Sequence, residues 1–161
     1  MGFRITGLRA DQFESLFGLP ESALQARGVV RRVADQKPGF PCRVSLQDAE
    51  PGESVLLLNY EHQTANTPFR ASHAIYIREG VREAFDAADQ IPEVMRTRIL
   101  SLRAFSSDGM LVEADLADGA DRTNGGALET AIERLLANPA TAYLHAHYAK
   151  PGCFAARIER A

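Results

Sequence analysis

The sequence predicts an α+β domain with a mainly antiparallel sheet built from hairpins and packed by about two to four helices. Turn sequences such as Asp108-Gly109 and Pro151-Gly152 lie between extended runs, and hairpins require antiparallel neighbours. The helical segments do not alternate regularly with the strands, which argues against a parallel sheet. The 161 residues suit one core, so we treat residues 1–161 as a single domain.

The first part of the chain predicts a strand followed by short helices. Phe3 and Ile5 alternate with polar residues as in a strand, and Asp11 is placed to cap a helix. Pro20 suits the first position of a second short helix, which Gly28 ends. A second strand is expected at residues 29–33.

The middle of the chain predicts a second hairpin and one further strand. Residues 37–42 contain too much proline for a central strand, so we expect an ordered loop. Residues 43–46 and 54–62 have extended patterns on either side of a turn, and they predict the hairpin. Residues 73–79 predict a strand, and we place a helix around residues 81–88.

The last part of the chain has the clearest local signals. Residues 99–105 and 110–116 flank Asp108-Gly109 and predict a hairpin. Apolar residues repeat at helical spacing from about residue 126 to residue 137. Residues 143–158 predict a final hairpin that turns at Pro151-Gly152.

Composition excludes some classes of function. The formal net charge of -3 and the pI of about 5.8 provide no basic surface, so we expect no nucleic-acid partner. No apolar run approaches the roughly 20 residues that span a bilayer, so we expect no membrane partner. Cys42 and Cys153 are too few for a disulfide framework, and no leader-like segment begins the sequence, which favours the cytoplasm. Homo-oligomer formation is left open.

The final hairpin contains the densest potential chemistry. Tyr143, His145 and His147 alternate along one strand, so their side chains share a face. Two such imidazoles can bind a metal, but zinc requires a further ligand from elsewhere in the chain. The residues of a suitable type are His62, His73, Glu61 and Cys153. The strand motif of the cupins has a glutamate four residues after the second histidine, where this chain has Pro151. We therefore expect no metal and no cofactor.

The hairpin register decides whether Cys153 meets His147. If only Pro151 and Gly152 form the loop, Lys150 pairs with Cys153 and the thiol faces away from the histidines. If Lys150 also belongs to the loop, Ala149 pairs with Cys153, which then shares their face. A shift of one residue separates the two arrangements, and the sequence leaves both open.

Two hypotheses of function remain. In the first, the protein is a small-molecule enzyme or ligand-binding protein with a histidine-containing polar pocket, in which His145 or His147 is a general acid or base and Glu61 orients an imidazole. Arg103 or Lys150 would hold an anionic small molecule. In the second, the protein is a non-catalytic binding or interaction module with structural histidines. The candidate ligand-binding residues are His73, His62, Tyr60, Arg103, Lys150 and Cys153.

Five segments together resemble a known bacterial family, the domain of unknown function 1203. They are residues 37–46, 60–63, 70–75, 102–105 and 145–157. The resemblance extends over nearly the whole chain and implies a stand-alone bacterial protein. The family has no established reaction, so the resemblance carries no catalytic residue over to this chain.

Overall fold

The computed structural model of the chain describes residues 2–161. Strands and helices follow one another in a strand-rich order, which confirms the α+β class, with the number of helices at the low end of the expected range. None of the helices in the described residues is long and apolar enough to cross a membrane. The strands are β1 Phe3–Thr6, β2 Val30–Val33, β3 Ser54–Gln63, β4 Ala71–Arg78, β5 Asp86–Ala88, β6 Ile99–Phe105, β7 Leu111–Asp118, β8 Tyr143–Tyr148 and β9 Phe154–Arg160. The α-helices are α1 Glu21–Ala26, α2 Glu93–Arg96 and α3 Ala127–Ala137.

The strands form two antiparallel sheets. The larger sheet has six strands in the order β5-β1-β9-β8-β6-β7, and the smaller has three in the order β2-β3-β4. The hairpins β6–β7 and β8–β9 lie side by side because β6 also pairs with β8. This confirms the mainly antiparallel sheet and places the final hairpin inside the larger sheet.

Helix α3 covers one face of the larger sheet. Its buried residues include Leu128, Ile132 and Leu135, which belong to one apolar cluster with Leu144 and Ala146 of β8. The helical periodicity of the sequence therefore identified the buried face of α3 correctly. Gly126 precedes the helix with a φ of 102°, a conformation that glycine adopts without strain.

The smaller sheet lies against the opposite face of the larger one. The side chain of Gln63, at the end of β3, donates a hydrogen bond of 3.0 Å to the hydroxyl of Tyr143 on β8. The ring of Tyr60 lies 6.5 Å from that of Phe154 on β9, measured between centroids. These contacts bring the polar end of β3 over the middle of the larger sheet.

Three local predictions are wrong, each because tertiary pairing overrides local pattern. Residues 43–46 form a turn rather than a strand, with the Leu46 amide donating to the Cys42 carbonyl, and β2 pairs with β3 instead. Residues 81–88 form no helix, since residues 86–88 pair with β1 as an edge strand. Asp11 caps no helix: its carboxylate pairs with Arg9, and the segment contains only two short 3-10 turns.

Candidate functional site

Two histidines of β8 are buried on the face of the larger sheet opposite α3. Strand β8 alternates, so Leu144 and Ala146 face the helix while His145 and His147 face the smaller sheet. His145 is 3% exposed and His147 is 1% exposed. Directly across from them on β6 lies Arg103, opposite His145. The same face therefore carries a guanidinium beside the imidazoles.

His62 of β3 completes a three-histidine cluster with His145 and His147. Its ring centroid lies 6.0 Å from that of His145 and 4.9 Å from that of His147. Phe154 stacks on the His62 ring at 5.3 Å with an interplanar angle of 3°, which holds the ring edge toward the other two imidazoles. One ring nitrogen from each histidine lies within 4.8 Å of the others.

The hydrogen bonds of the three-histidine cluster leave nitrogen lone pairs free. Nδ1 of His147 lies 3.0 Å from the carbonyl oxygen of Gly152, and since a carbonyl can only accept, Nδ1 carries the hydrogen. Nε2 of His147 is buried without a hydrogen-bond partner among residues 2–161. The same holds for Nδ1 of His145 and of His62.

Burial keeps these imidazoles neutral. Desolvation lowers the pKa of His145 and of His147 to about 3, and that of His62 to about 4. Neighbouring positive groups, Arg103 among them, lower these pKa values further. A neutral imidazole offers a lone pair, so the cluster suits a metal ligand better than the general acid that the sequence also allowed, and the low pKa makes each ring only a weak general base.

A cavity of about 840 Å³ adjoins the cluster on the same face of the larger sheet. Ala149 lies just after the end of β8, two residues from His147, and its amide donates to the carbonyl of Ile99. Ala149 and Ile99 therefore form the next cross-strand pair along the sheet on the side of His147. Both residues line the cavity. Its polar lining residues include His73, Arg43, Arg98, Tyr148, Lys150 and Cys153.

The final turn is longer than either arrangement considered from the sequence. The Tyr148 amide donates to the Cys153 carbonyl, and His147 pairs with Phe154 after a bulge in the strand pairing. Cys153 thus neighbours Tyr148 rather than Ala149 or Lys150. Its sulfur accepts a hydrogen bond of 2.9 Å from Nη2 of Arg43. The thiol therefore belongs to the cavity wall and not to the three-histidine cluster.

Arg43 is a functional candidate that sequence reasoning missed. Its side chain is 1% exposed, and it donates to the carbonyls of Phe154 and Pro41 as well as to Cys153. No carboxylate pairs with it in residues 2–161, whereas Arg98 pairs with Asp48 at 2.7 Å. The arginine was assigned to a predicted strand, and only its place between buried apolar neighbours could have signalled a buried charge.

Tyr148 lies between the two arginines of the cavity. The guanidinium carbons of Arg43 and Arg98 lie 4.9 Å and 5.0 Å from its ring centroid. Burial raises the pKa of Tyr148 to about 12, so the phenol stays protonated. Within the described chain its hydroxyl has no hydrogen-bond partner. Tyr148 has the strand parity of Leu144 and Ala146 and belongs to the same apolar cluster, so its hydroxyl is buried away from the face that carries the histidines.

Of the remaining candidates from the sequence, two line the cavity and two belong to neither the cavity nor the three-histidine cluster. His73 is half-buried and lines the cavity, and so does the exposed Lys150. Tyr60 touches neither place through its hydroxyl, which donates to Gln12 at 3.3 Å. Glu61 does not orient an imidazole: it follows Tyr60 on β3, so it points away from the His62 side, and it pairs with Arg70.

The expectation of no metal rested on a missing third ligand. His145 and His147 alone cannot form a closed set, and no glutamate follows them at the cupin spacing. His62 now supplies a third nitrogen from a strand more than eighty residues earlier. The reason for that expectation is therefore removed.

The family model for "Protein of unknown function (DUF1203)" matches residues 39–160. The chain belongs to this family, in agreement with the resemblance of its segments. Comparison with the curated proteins found no match, and neither did comparison with the solved structures. The residues of the site must therefore carry any functional argument.

Proposed function

We propose that this DUF1203 protein binds an anionic small molecule in the cavity and acts on it with the neighbouring histidines. The uncompensated charge of Arg43 carries the proposal. A guanidinium is protonated at any physiological pH, and a buried charge without a counter-ion is costly. Its partners here are two carbonyls and a thiol, none of which is a carboxylate.

The cavity offers further groups to such an anion. Lys150 adds an ammonium at the rim of the cavity, and His73 adds an imidazole to its wall. Ile99 and Leu116 supply an apolar part of the wall. This combination favours a ligand that joins an acidic group to an apolar portion, such as a small carboxylate or phosphate ester.

The three-histidine cluster provides the reactive groups of the proposal. The cluster lies one row along the sheet from the cavity wall, and its imidazoles are neutral because burial lowers their pKa values. Arg103 is half-buried beside them and has no carboxylate partner in the part of the chain described. It is a second anchor for an anionic substrate.

A thermal-shift screen of small carboxylates and phosphate esters tests the anion site. Lys150→Met removes the exposed ammonium at the rim and keeps an unbranched side chain, so it should fold normally and weaken the best anion several-fold. Lys37→Met is the matched control, because Lys37 is not among the cavity residues and pairs with Glu50 and Glu93.

Two results would count against the anion site. One is an equal melting shift in the wild type, Lys150→Met and Lys37→Met, and the other is a panel in which no anion stabilises the wild type. A bound anion that is never converted would support the binding module over the enzyme.

The two cysteines support a reducing compartment, and we propose the bacterial cytoplasm. Cys42 and Cys153 are both free thiols and both buried. Cys153 contacts Arg43 as a thiol acceptor, a role that a disulfide would change. Growth of a tagged strain followed by cell fractionation would test the location.

A further inference from the structure

We propose that His62, His145 and His147 together bind one divalent transition-metal ion of the Zn²⁺ type. The site takes two ligands from β8 of the larger sheet and one from β3 of the smaller sheet. This inference goes beyond the anion site and does not depend on it. It reverses the expectation drawn from the two histidines of β8 alone.

The distances suit a metal after a small adjustment. One nitrogen from each ring already lies within 4.8 Å of the others. Zinc-bound imidazole nitrogens lie about 2.0–2.1 Å from the ion, which in a tetrahedron separates them by roughly 3.4 Å. His62 is only half-buried, so its ring has the freedom to move the remaining distance.

The hydrogen-bonding pattern is that of metal ligands. Nδ1–H of His147 donates to the Gly152 carbonyl, which leaves Nε2 with its lone pair pointing into the buried space. Ligating histidines generally bond in this way through their second nitrogen, which fixes the tautomer and the orientation of the ring. Nδ1 of His145 and of His62 is likewise buried and unpartnered.

A purely structural role leaves these nitrogens unexplained. Buried polar atoms almost always have a partner, and structural histidines obtain one from the backbone or a neighbouring side chain. No hydrogen bond joins these three rings to one another in residues 2–161, although the His62 ring lies edge to face with both of the others. A single ion would give each of the three rings a partner at one of its nitrogens.

The ligand set selects the class of metal. Imidazole nitrogens suit Zn²⁺, Fe²⁺, Co²⁺, Ni²⁺ and Cu²⁺, whereas Mg²⁺ and Ca²⁺ require oxygen ligands. Three protein ligands also leave a position open, as in catalytic rather than structural zinc sites. Arg103 repels a cation but attracts an anion, so hydroxide or an acidic ligand at the open position would lie between two positive groups.

Metal titration of chelator-treated protein without a polyhistidine tag tests the proposal. After incubation with Zn²⁺ and desalting, elemental analysis should find about one ion per wild-type chain. Co²⁺ should produce visible ligand-field absorption in the wild type. Mg²⁺ should not compete for the site.

The four histidines of the chain provide matched variants. His62→Ala and His145→Ala should each lose most of the bound Zn²⁺, whereas His73→Ala should keep it because His73 is not part of the cluster. Circular dichroism checks that each variant is folded. Wild-type protein that takes up no Zn²⁺ and shows no Co²⁺ absorption would overturn the proposal, and so would equal loss of Zn²⁺ in His73→Ala.

The metal and anion proposals can fail separately. Zn²⁺ uptake uses no anion from the panel, and Lys150→Met leaves all three histidines in place. Loss of Zn²⁺ binding in His62→Ala with anion binding retained would support both sites as distinct. Anion binding without any Zn²⁺ uptake would overturn only the metal site.

Discussion

The two faces of β8 differ although their residues are immediate neighbours. Leu144 and Ala146 pack under α3 and are fully buried in an apolar cluster. His145 and His147 are nearly as buried, but each has a nitrogen without a partner in the described chain. The first face stabilises the fold, and the second costs stability. Burial without hydrogen bonding therefore points to a role in function rather than in folding.

The largest expected change in stability comes from a substitution on the apolar face of the larger sheet, where α3 packs. Ile132 is fully buried at the centre of α3, so Ile132→Asp should lower the free energy of unfolding by about 4 kcal/mol or more, through lost burial and an unpaired buried charge. Chemical denaturation measures it. Glu133→Gln on the exposed side of the same helix is the control and should change little. Equal effects of the two substitutions would mean that the helix does not pack through this face.

The free energy of unfolding of the metal-free protein should fall in acid because His145 and His147 are buried in the neutral form. The pKa of His145 and of His147 is about 3 in the folded protein and roughly 6.5 in the unfolded chain. The unfolded state therefore binds more protons below pH 6.5, and stability present above that pH is lost as the pH falls toward 3. Between pH 7 and 5 the loss should reach about 4 kcal/mol for the pair. The groups that face them are His62, His73, Arg103 and Arg157.

The histidine contribution can be separated from that of the carboxylates. Chemical denaturation at several pH values gives the free energy of unfolding as a function of pH. Below pH 6.5 this free energy should fall less steeply when both His145 and His147 are replaced by Gln, which does not titrate. An identical slope in the double variant and the wild type would show that these imidazoles titrate normally in the folded state.

A smaller effect is expected at the turn that ends β8. Gly152 has a φ of 84°, and nothing lies within 4 Å of the position that a Cβ would occupy, so backbone strain alone decides the result. Gly152→Val should cost about 1 to 2 kcal/mol, and Gly152→Asn less, because asparagine tolerates positive φ. Thermal melts compare the two. Equal melting points for Val and Asn would show that the turn adopts another conformation.

Sequence reasoning succeeded where the signal is local. The Asp108-Gly109 hairpin, the final hairpin and the apolar stripe of α3 each lie within a short segment, and all three formed, although the final hairpin has a longer turn than expected. The strand that pairs with the N-terminal half of β3 could not be deduced from the sequence, because β2 and residues 43–46 both have extended patterns. Tertiary contacts decide that β2 is the partner.

The site was predicted in part. Strand alternation correctly put His145 and His147 on one face, but His62 reaches them only because the two sheets pack together, a long-range contact that no local spacing encodes. The position of Cys153 depended on a bulge after Ala146, and Glu61 failed as a partner because it is one residue out of phase with His62.

The three-histidine cluster draws its members from both sheets, and this has a mechanical consequence. An ion held there would act as a crosslink between β3 and β8, whose residues are far apart in the chain. Because such an ion would bind the folded site and not the unfolded chain, its binding free energy would oppose separation of the sheets. The smaller sheet would then open less often in the loaded protein, and its β3 and β4 amides would exchange with solvent more slowly.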